Sequence, residues 1–564
     1  MTLETPSLTP DSIVDTTAQG EQERTNARLA GASGILALGN ICSRVLGLVR
    51  EIVLTYLFGA SGAVDALQVA IIVPKAIYDL LIGGHINGAF VPVLSDVITR
   101  GGKAELWRVL SALISLVSAI VALLVLLLEL FAPQIVPAVA PGADIHTQRL
   151  AVDLLRLTAP ALIFMSLFAV FSGALFALRS FTLPAFAGVV FNGCIVLVTL
   201  ALAPSLALIP ELEGRSIASP FLVARPSAGI IVVAVGWLVG ASAQMLLQMP
   251  GLRLRRLRPS VNWRHPALTS IGLLYLPVML SLIIDTLVIR PFSYNLASQT
   301  IEGGIAIMNW ATTLVQFPQG LVATAISVAI LPTLARQSAE MTEAAQKAFK
   351  DTLGLGLRLA TTLILPAATG LFVLAVPIIA LLFENGAFLA ADTEITATAL
   401  RLYLIGLPFA ALDLLLVYAF YARKDTLRPA LVGIVSLVCY LAAALLLFER
   451  FGLFSLMIAD SVKHFVHASI SAVLLWRRLG GFGPQRLART GLKSAFASLI
   501  MAGFALVTLP SLSQWIGTTN ILRELALVGL CALLYGGVFL LVARILKIHE
   551  LAWLLKLLRE RLSS

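Results

Sequence analysis

Charged side chains are scarce in this sequence. Asp, Glu, Lys and Arg together make up only 12% of the 564 residues, about half the share that is typical of a soluble domain. Hydrophobic residues make up 59%, which is more than the core of one water-soluble fold could bury. This composition excludes a soluble globular protein. It predicts an all-α polytopic membrane protein, in which about fourteen apolar runs are long enough to form transmembrane helices.

Cysteine and the common catalytic motifs are also scarce or missing. The four cysteines, Cys42, Cys194, Cys439 and Cys531, lie far apart within apolar runs and form no CxxC pair, so they read as small core residues. The sequence contains no GxxxxGK[ST] phosphate loop, no HExxH and no GxSxG motif. His464 and His467 are three residues apart, and we interpret them as hydrogen-bonded polar positions. We therefore predict neither an enzyme nor a metal site.

The basic residues lie mainly in the gaps between apolar runs. The net charge of +10 could indicate nucleic-acid binding, but this placement is the one that the positive-inside rule predicts for a membrane protein. Gaps rich in Arg and Lys are 253–264, 421–425, 476–493 and 544–562. If these gaps face the cytoplasm, so do both termini. Residues 1–27 are polar and lack an apolar signal segment, so we predict a disordered cytoplasmic tail there.

Several charged residues interrupt the apolar runs themselves. The stretch CSRVLGLVRE, residues 42–51, holds two arginines and a glutamate, although each such charge costs roughly 2.5 to 3.5 kcal/mol at the centre of a bilayer. A helix that faces lipid on all sides would not carry them. The sequence therefore predicts a polar cavity between two halves of the protein, lined by members of the set Arg44, Arg50, Glu51, Asp65, Lys75, Asp79, His85, Asp285 and Arg290.

Two interpretations of these charges remain open. Arg44 with Glu51, and Lys75 with Asp79 four residues later, could be intramembrane ion pairs that fix helix register. Alternatively, the guanidinium groups bind a phosphate-bearing substrate, for which their planar geometry is suited. Asp65 can also stabilise the start of its helix. Pro291 removes a backbone donor directly after Arg290, which predicts a kink there.

A resemblance to a known family rests on several motifs. SRVLGLVRE (43–51), FGASGAVDA (58–66), GAFVPVL (88–94), SLIIDT (281–286) and FPQGLVATAISVAILPTL (317–334) closely resemble the lipid II flippases of the MurJ/MviN type, which belong to the MOP exporter superfamily. The resemblance extends from about residue 31 to about residue 480. The segments 73–94 and 317–334 also resemble each other weakly, as in transporters built from repeats.

The resemblance implies an architecture and an activity. Two pseudo-symmetric six-helix lobes, residues 28–250 and 251–480, would enclose a central cationic cavity. Two further helices within 481–545 would form a groove for a lipid tail. The residues of the cytoplasmic tail 546–564 themselves predict either an amphipathic helix on the inner leaflet or a solvated basic tail. Such a protein moves the undecaprenyl-diphosphate-linked peptidoglycan precursor across the bacterial cytoplasmic membrane by alternating access. Its partners would be this substrate, membrane lipids and cell-wall synthesis enzymes, without nucleic acid.

The resemblance also implies site residues. Arg44, Arg50 and Asp65 fall on polar positions that matter in the family, and we predict that these residues and Tyr78 bind the substrate. Two basic residues of the family are replaced here, by Tyr78 and by Thr313, and we predict that Lys75 and Arg290 restore positive charge to the substrate-binding cavity. We predict that Glu51, Asp79 and Asp285 are coupling or structural charges.

No cofactor is expected, and the membrane potential or an ion gradient would drive transport. Sodium coupling stays open, because the span at 430–448 has no carboxylate. Two alternatives also stay open: an exporter of another lipid-linked oligosaccharide or amphipathic compound, and a scaffold that does not transport.

Overall fold

The computed structural model describes residues 10–81, 86–206, 229–252, 257, 260, 262–273, 284–340, 342–517 and 520–551. Within these residues every regular element is helical. The first seven α-helices are α1 (Pro10–Phe58), α2 (Gly62–Leu81), α3 (Ile86–Val139), α4 (Ile145–Thr158), α5 (Ala161–Ala177), α6 (Thr182–Leu206) and α7 (Ile230–Leu246). The next ten are α8 (Arg290–Ser298), α9 (Gly304–Pro318), α10 (Ala325–Ala339), α11 (Glu343–Val373), α12 (Ala375–Phe383), α13 (Ala390–Ala422), α14 (Leu427–Phe451), α15 (Phe454–Leu479), α16 (Leu487–Ile516) and α17 (Ile521–Ile545).

The lengths and composition of these helices identify a multi-pass membrane protein. Ten helical segments of the described chain are long and apolar enough to cross a membrane. Neither α1 nor α2 is among the ten, because these helices concentrate the buried charges that the sequence singled out. The total of fourteen spans therefore stays a prediction.

The beginning of the chain differs from the sequence prediction. Helix α1 begins at Pro10, so residues 10–27 continue the first helix instead of forming the predicted disordered tail. The reason is local: this stretch contains Ala, Glu, Gln and Arg, which favour helix, and Pro is tolerated in a first turn. Most of the predicted amphipathic tail, residues 552–564, lies outside the described residues, as does His85.

Irregular turns occur at three places along the described helices. Gly102 has φ 70° and ψ −176° and divides α3 into two helices. A π-helical turn, Ile284–Ile289, precedes Arg290 and Pro291, where the sequence predicted a kink. A second π-helical turn, Gln319–Thr324, follows Pro318. Proline lacks the amide hydrogen that a regular helix requires, so wider turns at these two positions are expected.

The helices pack as two groups and a pair. In the first group α1 packs on α6, α6 on α7, α3 on α5, and α2 on α4. In the second group α13 and α14 pack on α15, and α9 and α11 pack on α13. The C-terminal pair, α16 and α17, packs together and contacts the second group through α11 and α12.

The two groups share a hydrophobic core at one end only. A single large cluster contains Leu57 and Val64 of the first group together with Ile305 and Phe388 of the second. We call this the joined end; it holds the connections 59–61, 140–144, 299–303 and 384–389. At the opposite end, the split end, each group has its own core, around Leu110 in the first and around Leu415 in the second. A space therefore remains between the groups.

The chain does not change groups at residue 251, where we predicted the boundary between the lobes. His265 Nε2 lies 3.1 Å from Glu105 Oε1 of α3, and Ala267 and Leu268 are buried in the core of the first group. The start of the segment after residue 251 thus packs on the first group, since apolar residues there complete that core.

Candidate functional site

A cavity of about 630 Å³ lies between the two groups. Its walls come from α1, α2, α6 and α7 on one side and from α8, α9, α13, α14 and α15 on the other. Seven of the nine residues predicted as substrate-binding, coupling or structural charges line it, namely Arg44, Arg50, Glu51, Lys75, Tyr78, Asp79 and Arg290. Charged residues within the apolar runs therefore face a shared interior, as their cost in lipid requires.

The centre of the first wall is a hydrogen-bonded network around Arg50. Its Nη2 contacts Glu51 Oε1, its Nη1 donates to Asn192 Oδ1 at 3.0 Å, and its guanidinium lies 5.6 Å from the centroid of the Trp237 ring. Trp310 Nε1 of α9 donates to Glu51 Oε2 at 3.1 Å. Because Glu51 is only 6% exposed, both donors offset the cost of burying its charge. The network also ties α1 to the second group.

Arg44 takes a different partner from the one considered above. Instead of pairing with Glu51, its Nη1 donates to the backbone oxygen of Gln316 at 3.3 Å, beside the π-helical turn of α9 and α10. A carbonyl oxygen does not neutralise a guanidinium, so Arg44 keeps a full positive charge at the cavity wall.

The expected pair between Lys75 and Asp79 is also replaced. Arg290 Nη1 lies 3.7 Å from Asp79 Oδ2, because the π-helical turn before Pro291 brings Arg290 towards α2. Lys75 is exposed towards the cavity, and within the described chain no carboxylate lies within 4.0 Å of its ammonium group. Facing helices, rather than neighbours along one helix, decide the pairing here.

Positive charge is therefore in excess in the cavity. The four cations on its walls are Arg44, Arg50, Lys75 and Arg290, and the three carboxylates are Glu51, Asp79 and Asp460. Asp460 is neutralised by Lys463 at 2.5 Å. Arg44 and Lys75 are the two cations without a carboxylate partner in the described residues. Guanidinium and ammonium groups in a partly desolvated space bind phosphate strongly, so this cavity suits an anionic ligand.

Asp65, which we predicted to bind the substrate, does not line the cavity. Its side chain is buried at the joined end, where Oδ1 accepts a hydrogen bond from the backbone nitrogen of Ala306 at 2.8 Å. Glu302 Oε1 accepts one from the nitrogen of Gly62 at 2.9 Å. Each group thus supplies a carboxylate to the first turn of a helix in the other, where unpaired amides and the helix dipole favour negative charge.

Two glycines allow the groups to approach at the joined end. Gly303 has φ 76°, and a Cβ added there would lie 2.6 Å from the carbonyl carbon of Ala60. Gly386 has φ 68°, and a Cβ there would lie 2.3 Å from the backbone oxygen of Tyr56. That oxygen accepts a hydrogen bond from the nitrogen of Ala387 at 3.0 Å. Side chains at either glycine would separate the two groups.

The remaining residues complete the site. Thr313 lines the cavity beside Gln316, and the side chain of Asp285 lies outside the part of the chain that is described. Sequence reasoning missed Asn192, although a single amide in the apolar run VVFNGCIVLV was a usable signal. It also missed Trp237 and Trp310, because the sequence does not show which group an aromatic residue in an apolar helix contacts.

Metal ligands are not grouped in the described residues. No three His, Cys, Asp or Glu side chains there come close enough to hold a metal ion. The groups that project into the cavity are mainly hydrogen-bond donors with positive charge. The arrangement is therefore suited to binding an anion.

Comparisons with known proteins give a consistent result. The family model described as lipid II flippase MurJ matches residues 54–526. A lipid II flippase MurJ of Burkholderia cenocepacia is 31% identical over 71% of this chain and 74% of its own length. A probable lipid II flippase MurJ of Haemophilus influenzae is 28% identical over 89% of this chain and 98% of its own.

Solved structures show the same fold. The structure of a lipid II flippase MurJ in an inward closed conformation superimposes with a TM-score of 0.71 at 23% identity, and covers 91% of this chain and 99% of its own. An inward-facing multidrug resistance transporter of the MATE family in the MOP superfamily gives a TM-score of 0.60 at 16% identity, with 78% and 94% covered.

Proposed function

The chain belongs to the MurJ family of lipid II flippases, and from this premise we propose that it moves lipid II, the undecaprenyl-diphosphate-linked peptidoglycan precursor, across the bacterial cytoplasmic membrane. It acts as a transporter and not as an enzyme. The observation that carries the proposal is the excess of positive charge in the cavity between the two groups. Arg44 and Lys75 face that space without carboxylate partners in the described chain, and a diphosphate supplies the negative charge they lack.

The head group would contact residues with distinct roles. Arg44 and Lys75 would bind the diphosphate directly. Arg290, whose contact with Asp79 is long at 3.7 Å, would exchange that partner for phosphate oxygen. Arg50 is held by Glu51, Asn192 and Trp237, so it would supply positive potential more than a flexible contact.

Alternating access accounts for the difference between the two ends. The two groups and the segment leading into α8 would form the two pseudo-symmetric six-helix lobes of the family. The shared core at the joined end and the separate cores at the split end are the features expected of one extreme of a rocking motion. The basic connections 421–425 and 476–493 lie at the split end, so the positive-inside rule would place this end and both termini in the cytoplasm.

The lipid tail and the driving force complete the proposal. The lipid tail would remain in the membrane along the C-terminal pair of helices. The partners of the protein would be the surrounding lipids and the cell-wall synthesis enzymes. The excess of cavity cations would respond to the membrane potential, which is worth about 2.3 kcal/mol per charge for each 100 mV. An ion gradient is the alternative source of energy, and Asp285 would be the carboxylate that binds sodium in that case.

Complementation tests the proposal. The chain is expressed in a bacterium depleted of its own lipid II flippase, beside Arg44→Ala, Lys75→Ala and Arg290→Ala variants at matched membrane levels. We expect growth with the wild type and loss of growth with the Arg44 variant, since losing one charged contact costs about 1.5 to 3 kcal/mol. Arg108→Ala is the control, because this side chain is 79% exposed and lies outside the cavity. A folded wild type that fails to restore growth contradicts lipid II transport.

One observation favours a second cargo. Tyr78 and Thr313, where the family has basic residues, both line the cavity. Two fewer cations suit a head group of lower charge, such as another lipid-linked oligosaccharide or an amphipathic compound. Export of such a compound in cells where the wild type fails to restore growth would support this alternative over lipid II.

A further inference from the structure

A second cluster of ionisable side chains lies inside the second group, beside the cavity. Asp460, Lys463, His464 and His467 recur every three or four residues along α15, so they form one stripe on that helix. Asp413 of α13 faces the stripe. None of the contacts described for the cavity uses the two histidines.

The members of this cluster contact one another. Asp460 Oδ1 lies 2.5 Å from Lys463 Nζ, and Asp460 Oδ2 lies 3.6 Å from His464 Nε2. His467 Nδ1 contacts Asp413 Oδ1 directly. The side chains of His467 and Asp413 are only 13% and 16% exposed. Water therefore screens this pair weakly, and its protonation state matters energetically.

The neighbouring helices add few other ionisable groups. Helix α15 packs against α13 and α14. From α13, Asp413 and Tyr403 face the cluster, and Tyr421 interacts electrostatically with Asp413. From α14 it is Tyr440, whose ring centroid lies 5.6 Å from Lys463 Nζ. Asp460, Tyr403 and Tyr440 also line the cavity, so one end of the stripe reaches the space where cargo would pass.

Binding of two protons is enough to change the sign of the net charge of the cluster. With both imidazoles neutral, two carboxylates and one ammonium leave a net charge of −1. One proton on His467 brings the net charge to zero, and a second on His464 makes it positive. An unbalanced charge in a buried site is costly, so the binding of one proton, which balances the charges of the cluster, would stabilise it.

The pair of Asp413 and His467 lies midway along the second group, between its joined end and its split end. Towards the joined end, α13 and α15 contribute Leu407 and Ala459 to the core that both groups share. Towards the split end, they contribute Leu415 and Leu475 to the separate core. A change in the contact between α13 and α15 at this level acts on the helices that must tilt when the groups rock.

We propose that this cluster is a proton-binding site, that the proton is held between His467 and Asp413 and reaches them from the cavity past His464, and that its binding shifts the equilibrium between the two arrangements of the helix groups. The proposal deepens the function proposed above, because it supplies a proton gradient as a source of energy. It concerns a movement that can be measured without any cargo.

The test follows the separation of the split ends against pH. Spin labels are attached to Arg108→Cys of α3 and Lys347→Cys of α11, both exposed, in the full chain with its four native cysteines replaced by serine. Distances are measured by pulsed electron resonance in liposomes at steps from pH 5.0 to 8.5. We expect the ratio of long to short distances to change by about threefold or more across this range, with its midpoint in the range where imidazole titrates.

The variants decide the assignment. His467→Gln and Asp413→Asn keep hydrogen-bonding atoms but lose the shared proton, so they should abolish the pH-dependent change. His146→Gln, at the start of α4 and outside the cluster, should retain it. The proposal is overturned if the wild type shows no change with pH, if His467→Gln still shows it, or if His146→Gln loses it too. Since no cargo is present, these outcomes are independent of whether lipid II is the substrate.

Discussion

Asp65 of α2 accepts a hydrogen bond from the backbone nitrogen of Ala306, in the first turn of α9, at 2.8 Å. This contact joins the two helix groups, and Glu302 makes the reciprocal contact with the nitrogen of Gly62 at 2.9 Å. A carboxylate that the sequence assigned to substrate therefore closes one end of the cavity. Its importance to transport would come from control of access, since the joined end must open for cargo to leave.

Removing this closure should open the joined end. Asp65→Ala leaves the backbone nitrogen of Ala306 without this acceptor, at a cost of about 1 to 3 kcal/mol, whereas Asp65→Asn keeps an acceptor oxygen and should have a smaller effect. The measurement is the rate at which a membrane-impermeant maleimide labels Ala60→Cys, in a chain whose native cysteines are replaced. We expect labelling to rise about tenfold or more in Asp65→Ala. Glu394→Ala, exposed at the same end, should leave the rate unchanged, and equal rates in Asp65→Ala would contradict the role of this contact.

A methyl group at Gly303 should have a similar result for a steric reason. Gly303→Ala places Cβ 2.6 Å from the carbonyl carbon of Ala60 at a positive φ, so the joined end can close only with strain of about 1 to 3 kcal/mol. Growth support and the thermal unfolding temperature should both fall. Gly536→Ala in α17 is the matched control, because nothing lies within 4 Å of its added Cβ and alanine favours helix. Equal behaviour of the two variants would exclude a special requirement at Gly303.

Trp310 should matter through its indole nitrogen. Trp310→Phe keeps most of the ring but removes the donor to Glu51 at 3.1 Å, and leaves a buried carboxylate with fewer partners at a cost of about 1 to 3 kcal/mol. We expect a lower unfolding temperature, measured in detergent. Trp515→Phe is the control because Trp515 is 80% exposed. Additional replacement of Glu51 by Gln should recover part of the loss, and no recovery would show that ring packing alone is responsible.

Positive charge at Tyr78 should substitute for charge lost elsewhere in the cavity. Tyr78 and Arg290 both line it, so Tyr78→Arg should restore growth in an Arg290→Ala chain, whereas Tyr78→Phe should not. The growth rate at matched expression is the measurement. Failure of Tyr78→Arg despite normal membrane levels would mean that Arg290 acts by its position near Asp79 and not by its charge.

The sequence was informative about which residues face the interior and less informative about what they contact. Arg44, Arg50, Lys75 and Arg290 could be placed at a cavity because a charge in an apolar helix is too costly to face lipid. Their partners could not be predicted, since Arg290 reaches Asp79 only because the π-helical turn Ile284–Ile289 packs against α2. Spacing along one helix had suggested Lys75 instead.

The fold, like the site, could be predicted from the sequence only in part. Apolar runs identified the long helices, and Pro291 marked an irregular turn, because both effects are local. The joined end was not predictable, since it depends on an approach of Gly303 to Ala60 across 243 residues of sequence. Asp65 lies in the first turn of its own helix, as predicted, but its hydrogen bond to the first turn of α9 could not be predicted from the sequence.

The most direct measurement is the leaflet distribution of lipid II in cells that depend on this chain. The native flippase is depleted, the wild type or the Arg44→Ala variant is expressed at equal levels, and the fraction of lipid II that a membrane-impermeant reagent can modify from outside is determined. We predict that the accessible fraction is restored by the wild type and reduced about tenfold in the variant, as loss of one charged contact implies. An accessible fraction that stays at the depleted level with folded wild-type protein would contradict lipid II transport by this chain.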